Sequence, residues 1–256
     1  MTRDLVTDAN RNLRTCFLRL ADDVPGGETR QFGPLTGAST GLPLPIYNRV
    51  FVFDSPPWEE LAAAVAWLVD RAVPSAVTVT ESVVDTVEEL AADIGLSRME
   101  EIPLPVPGMA MPSLDEIPPS ESAATITEAT TVEELDPFVA VAAAVFETPP
   151  EVAEQVYRAA VTADEARLFL GTVNDRPAAS GVLIRSGDVA GVYTIAVKEA
   201  FRRQGIGEAM SWRVLRAGRA AGCQVGVLQS SEMAAPLYEG MGFETVVNYY
   251  HFAPDS

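Results

Sequence analysis

Apolar residues recur along this chain at two spacings, and the switches between them mark its elements. Leu13, Phe17 and Leu20 fall four and three residues apart, which predicts a helix over residues 8–20 with Asp8 as N-cap. Residues 25–45 are rich in Gly and Pro and read as loops. Residues 49–53 read as a strand. Leu61, Val65 and Leu68 give a helix over 59–69, and the branched residues of 76–80 give a second strand. A helix over 84–94 closes at Gly95.

Prolines 103, 105, 107, 112, 118 and 119 crowd residues 102–122. That density excludes a helix and a central strand and predicts a surface strap between two halves. Beyond it comes a strand near 124–128. Thr131 caps a helix carrying Val132, Leu135 and Phe138, and a second helix covers 151–162. Residues 167–173 and 178–185 flank the turn 174–177 as a hairpin, and a turn at 186–188 leads to a third strand, 189–197. Ile206, Met210, Val214, Ala217 and Ala221 form a helical stripe ended by Gly222, with Trp212 packed between layers. A strand at 223–228, a helix around 234–238, a turn at 240–243 and a last strand at 245–252 complete the chain. The expected class is mixed α/β, a mostly antiparallel sheet flanked by helices.

The length of 256 residues suits two domains of about 120 residues each. The expected division is 1–115, a linker at 116–123, and 124–256. Cys16 and Cys223 lie in separate halves with no metal-ligand spacing, so free thiols are expected and no bound metal. No apolar run of membrane-spanning length occurs, and Met1-Thr2-Arg3-Asp4 lacks an apolar leader core. The expected location is the cytoplasm. A net charge of −18 argues against nucleic acid as a partner, because a polyanion is repelled. Lys198 is the single lysine among 18 basic residues. Salt adaptation and a GC-rich codon bias both produce that imbalance.

The chemistry concentrates after residue 197. Arg202-Arg203-Gln204-Gly205-Ile206-Gly207 joins a strand to a helix. Gly205 and Gly207 let an anion approach backbone N–H groups, and the helix dipole adds about half a positive charge. Alone, the pattern is equally an ordinary tight turn. It is neither a dinucleotide fingerprint, since Met210 stands where a third glycine belongs, nor a P-loop, since no Gly-Lys-Ser/Thr follows.

Leu237-Tyr238-Glu239-x-x-Gly242-Phe243 follows about thirty residues later. With both segments in order, residues 189–243 resemble the Gcn5-related N-acetyltransferase (GNAT) superfamily. Residues 197–207 match its strand and its Arg/Gln-x-x-Gly-x-Gly/Ala loop. Residues 237–243 match its Leu-Tyr-Glu-x-x-Gly-Phe segment. The resemblance implies acetyl-CoA as co-substrate and direct attack by an amine in a ternary complex. It implies that the strand ending at Ile195 and Val197 splays from its neighbour and binds pantetheine through its backbone, with the Val197 N–H on the thioester oxygen. It places the pyrophosphate on the N–H groups of Gln204, Gly205, Ile206, Gly207 and Glu208, phosphate charge near Arg202 and Arg203, and the thiolate's acid at Tyr238. Ser231 stands where the family often has Asn, with fewer hydrogen-bonding sites.

Candidate general bases are Glu147, Glu151, Glu199, Glu232 and His251, the only histidine. The first half has the layout of the degenerate half of two-domain members, which implies tandem GNAT-like domains. The expected acceptor is a small-molecule amine, drawn by the acidic surface, and the expected assembly is a monomer or homodimer. A non-catalytic acyl-CoA-binding or protein-interaction module on the same fold is the alternative.

Overall fold

The structure, a computed structural model, describes residues 3–100, 105–119 and 122–255. Met1, Thr2, parts of the proline-rich passage (101–104) and of the expected linker (120–121), and Ser256 lie outside the described residues. In chain order the elements are α1 (Leu5–Asp23), β1 (Glu28–Phe32), β2 (Leu35–Ser39), β3 (Asn48–Val52), α2 (Trp58–Asp70), β4 (Ala76–Thr80), α3 (Val84–Ile94), β5 (Leu96–Arg98) and β6 (Val106–Met111). They continue as β7 (Thr125–Ala129), α4 (Leu135–Phe146), α5 (Pro150–Val161), β8 (Ala166–Val173), β9 (Arg176–Ser186), β10 (Val189–Val197), α6 (Ile206–Ala220), β11 (Val225–Gln229), α7 (Ala235–Gly240) and β12 (Glu244–Pro254).

The chain divides into two compact units, each drawing on several segments. The loop unit holds the chain up to Asn12, Met109–Leu228 and Pro236–Glu244. The leading unit holds Leu13–Gly108, Gln229–Ala235 and the chain from Thr245.

In the loop unit, β7, β8, β9 and β10 pair antiparallel in that order, β10 pairs parallel with β11, and β11 neighbours β6. Asn174 and Asp175 both take positive φ (49° and 60°), which gives the β8–β9 hairpin the tight turn whose twist suits its strands. Thr131 and Glu134 form a reciprocal capping box ahead of α4. Phe138 of α4 then meets Tyr157 of α5 edge to face at 4.9 Å.

Helix α6 sits close on the sheet because a glycine on each side, Gly181 of β9 and Gly218 of α6, leaves the facing surface bare. A Cβ on Gly181 would lie 2.7 Å from Met210 Cγ, and one on Gly218 would lie 2.6 Å from Ala190 Cβ. The start of α1 docks on the same unit by polar contacts. Arg3 grips both carboxylate oxygens of Asp188 (2.7 and 2.9 Å) and also meets Asp8. The fully buried Asn12 donates to Ile184 O and Ser186 Oγ, each at 3.0 Å, and accepts from the Tyr193 hydroxyl at 2.8 Å. Gly191 makes room for it, since a Cβ there would fall 2.1 Å from Asn12 Oδ1.

In the leading unit, β1–β2, β2–β3, β4–β12 and β5–β12 are antiparallel, and β3–β4 are parallel. The α2 stripe of Leu61, Val65 and Leu68 is buried, as its spacing predicts. Trp67 lies across β2 at Gly37, whose bare α-carbon leaves space for the ring.

Two expectations fail here. Residues 25–45 hold the β1–β2 hairpin rather than loops alone. The outer strand β1 is largely exposed and polar, so apolar alternation was missing. Residues 106–111 form β6 beside β11 despite Pro107. Pro107 stands second in that strand, where its carbonyl still accepts the Ser230 N–H at 3.0 Å. A missing N–H near a strand end is tolerated where a carbonyl does the pairing.

His251 is a core residue of the leading unit, 4% exposed, with Nδ1 3.2 Å from Thr78 Oγ1. Burial, helped by the Arg49 guanidinium, pushes its pKa down to about 3. The imidazole is therefore neutral when folded and protonates below about 6.5 when unfolded. Its contribution to stability is complete above pH 6.5 and is lost as pH falls toward 3. The expected outcome is a shallower loss of stability for His251→Gln than for wild type between pH 6.5 and 4. The difference should be at most about 1.4 kcal/mol per pH unit, read from urea unfolding at stepped pH. Equal slopes would contradict it.

Candidate active site

The site begins where two parallel strands part. β10 and β11 pair at Val189↔Val225, Ala190↔Gly226 and Gly191↔Val227, and no further. β10 runs on six residues to Val197 with β9 alone beside it among the described residues. The departure coincides with a register shift between Tyr193 and Ala196, where Thr194 takes φ 52° and its carbonyl accepts from Ser180 Oγ at 3.2 Å. A bulge bends the strand that carries it.

The pairing also fixes where Val197 points. Lys198 N–H donates to Ala178 O at 2.9 Å, toward β9. Backbone groups of successive strand residues face opposite edges, so the Val197 N–H and C=O face away from β9, into the space that β11 has left. The Val197 carbonyl accepts from Arg202 Nε at 3.2 Å, which ties the following loop back to the strand end.

That loop turns sharply through two left-handed residues. A short turn over Glu199–Phe201 closes with Arg202 N–H on Glu199 O at 3.1 Å. Arg203 takes φ 62°, and Gly205 takes φ 71° as N-cap of α6. Ile206, Gly207 and Glu208 begin the helix, and N–H groups in a first turn have no acceptor within their own helix. Arg202, Arg203, Gln204, Gly205 and Glu208 are exposed, Gly207 is half-buried, and Ile206 is buried as an anchor. A Cβ on Gly205 would meet nothing within 4 Å. One on Gly207 would touch Val197 Cγ2 at 3.6 Å and Leu237 Cδ2 at 3.8 Å. The loop is an exposed row of backbone donors beside two guanidinium groups, an arrangement whose chemistry suits an anion.

Tyr238 of α7 is 6% exposed. Its ring meets Phe243 nearly edge-on at 5.8 Å, and Phe243 N–H donates back to Tyr238 O at 3.0 Å. Burial raises the phenol's pKa above its ordinary value, and a hydrogen bond with the Ser211 side chain offsets part of that rise. The phenol therefore holds its proton throughout the neutral range, as a proton donor must. Ser211 carried no motif. Its only trace in the sequence is its place four residues after Gly207, one helical turn on.

The remaining candidates divide between the two units. Ser231 is exposed and belongs to the leading unit, where its carbonyl accepts the N–H groups of Ala234 and Ala235 at 3.0 Å each. Glu232 and His251 belong to that unit too. Glu147, Glu151 and Glu199 are exposed members of the loop unit. Ile195 is half-buried on the β10 segment beyond the last β11 pair. Among the described residues, no cluster of three or more His, Cys, Asp or Glu could hold a metal ion.

Comparison with known proteins bears on the fold. Residues 121–227 match the family model described as the acetyltransferase (GNAT) domain. The match covers the parting strands and the Arg202–Gly207 loop and ends before Tyr238. The fold is similar to that of a GCN5-related N-acetyltransferase from Kribbella flavida, at 16% identity and TM-score 0.71 over 95% of each chain. It is also similar to a tandem GNAT protein from the clavulanic acid biosynthesis pathway, at 15% identity and TM-score 0.59 over 86% of this chain and 77% of that one. A functionally unknown conserved protein from Staphylococcus epidermidis ATCC 12228 shares the fold at 15% identity, with TM-score 0.64 over 90% and 95% of the chains. At these identities the likeness is one of fold. No curated protein matches the sequence.

The two glycines separate fold from ligand. Gly205→Ala adds a Cβ at φ 71° in open space and should cost about 1 kcal/mol of stability. Gly207→Val adds methyls beyond a position already in contact with Val197 and Leu237. Its expected effect is a loss of acetyl-CoA affinity of about tenfold or more with the fold intact, read by calorimetry beside circular dichroism. Unchanged affinity would place the phosphates elsewhere.

Proposed function

We propose that this protein is an acetyl-CoA-dependent N-acetyltransferase acting on a small-molecule amine. The observation that carries the reading is the parting of β10 from β11 after Gly191, with the Val197 N–H directed into the opening and the Gly205 turn starting α6 beyond it. An extended pantetheine arm suits the backbone edge of residues 192–197 much as another strand would. The N–H groups of Gln204 to Glu208 would hold the pyrophosphate, and Arg202 and Arg203 would answer the remaining phosphate charge. Left-handed backbone at a non-glycine residue, as at Arg203, is strain that often accompanies a ligand-holding turn.

The chemistry follows from the same groups. The acceptor's nitrogen lone pair attacks the thioester carbonyl carbon, and the Val197 N–H stabilises charge on the carbonyl oxygen. The carbon–sulfur bond breaks with its electron pair on sulfur, and Tyr238 supplies the proton. A chain of net charge −18 attracts cations at long range, which favours an amine over a neutral alcohol as acceptor. Among the described residues no helix is long and apolar enough to cross a membrane, which fits the proposed cytoplasmic setting.

The test is acetyl-CoA turnover over a panel of amines and matched alcohols at low and high salt. Turnover of amines, weakened by salt, is expected, and Tyr238→Phe should lower kcat by about 100-fold with little change in KM for acetyl-CoA. Alcohols outpacing amines would overturn the acceptor class. Absence of coenzyme A binding by calorimetry would overturn the reading as a whole.

A further inference from the structure

The bulge in β10 decides which backbone N–H meets the opening. Tyr193 pairs with Val182 and Ala196 with Ser180, so Thr194 and Ile195 together stand across from Gly181 alone. One extra residue has entered β10. Arg185 N–H donates to Glu165 O, away from β10, while Ala178 O accepts the Lys198 N–H. The even-numbered residues of β9 therefore turn their backbone groups to β10. Ahead of the bulge their partners in β10 are odd-numbered, as at Tyr193. Beyond it they are even-numbered, as at Ala196 and Lys198, which leaves Val197 facing the opening. Without the extra residue, Val197 would stand across from Ala178 and spend its N–H on β9.

This bulge is held against strain. Thr194 is β-branched and takes φ 52°, a conformation that its side chain disfavours. Two neighbouring residues of β9 accommodate it. Gly181 leaves the space: a Cβ there would lie 2.7 Å from Met210 Cγ and 3.0 Å from Ile195 Cδ1. Ser180 supplies the bond: it is fully buried, and its Oγ donates to Thr194 O at 3.2 Å. A bulge takes backbone groups out of the regular ladder, and this hydroxyl stands in for a ladder N–H at the Thr194 carbonyl.

We infer that Ser180 is a positioning residue of this site: its hydroxyl locks the β10 bulge and so keeps the Val197 N–H, rather than the Lys198 N–H, turned to the opening. The inference rests on the reading of Val197 as donor to the thioester oxygen. Ser180 acts through the backbone of residues 194–197. In Ser180→Ala the Thr194 carbonyl loses that donor and the left-handed strain loses its restraint. β10 then slips by one residue into the regular ladder for part of the time. In that register Val197 N–H is paired and Lys198 N–H is released.

A small residue on a buried strand also serves packing, and packing alone makes different predictions. The experiment compares wild type, Ser180→Ala, Thr194→Gly and the double variant in the full chain. It reads hydrogen exchange of the Lys198 amide by NMR, kcat with acetyl-CoA and the amine turned over fastest, and affinity for coenzyme A by calorimetry. Coenzyme A carries the phosphates but no thioester oxygen, so its affinity reports the loop rather than the oxyanion donor.

The expected result for Ser180→Ala is Lys198 exchange about tenfold faster and kcat about tenfold lower, the scale of one buried hydrogen bond, with coenzyme A affinity changed by less than about threefold. Glycine takes a positive φ readily, so Thr194→Gly removes the strain that Ser180 restrains. In that background Ser180→Ala should change kcat by less than about twofold. Thermal unfolding shows whether each variant folds, and if Ser180→Ala alone does not, the double variant against Thr194→Gly decides. Lys198 exchange unmoved in Ser180→Ala overturns the inference and leaves Val197 as donor. A tenfold fall in kcat that Thr194→Gly does not relieve overturns it in favour of packing. Faster Lys198 exchange with kcat unmoved overturns the reading of Val197 as donor, and the inference with it.

Discussion

Everything at this site depends on one interruption in backbone pairing. Parallel strands share an even ladder of hydrogen bonds, and a ladder that stops at Gly191 and Val227 leaves six further residues of β10 with one edge turned to open space. Polar backbone groups seek partners, so such an edge is either a liability or a binding surface. The bulge at Thr194 turns the strand, and pairing with β9 through Lys198 sets the Val197 N–H toward the gap. The loop then needs two left-handed residues, Arg203 and Gly205, to bring the start of α6 beside the strand end. Close seating of α6 on the sheet, at Gly181 below it and through its own Gly218, holds that arrangement.

The sequence carried the parts whose chemistry is local. Hydrophobic spacing marked α1, α2 and α6, and a closing glycine marked α3. Turn chemistry marked the hairpin at Asn174-Asp175, and the Arg202–Gly207 loop was readable only together with the Leu237–Phe243 segment, since alone its glycines suit an ordinary tight turn. What escaped was decided by distant partners. β1 is polar and exposed, so nothing in its own residues distinguished it from a loop. β6 formed across Pro107 because Ser230 donates its N–H to the carbonyl that proline keeps. His251 titrates near neutrality as a free side chain, and only its burial beside Thr78 and Arg49 removes it from acid–base work.

Electrostatics divides the labour differently. The chain is strongly acidic, yet the loop that would meet phosphate opens on Arg202 and Arg203. Positive charge at that loop, on a background that attracts cations, fits one anionic co-substrate and one cationic acceptor reaching the same site by different routes. Inside the loop unit the low-dielectric surroundings of Tyr238 keep the phenol protonated, and Ser211 moderates that effect.

The most direct test of the account is an amide NMR titration of the nitrogen-15-labelled protein with acetyl-CoA. The account predicts large shifts and slowed hydrogen exchange at the Val197 amide and at Gln204 to Glu208, with those of β7 unaffected. Saturable binding that leaves Val197 and the Gly205–Gly207 amides unchanged would contradict it.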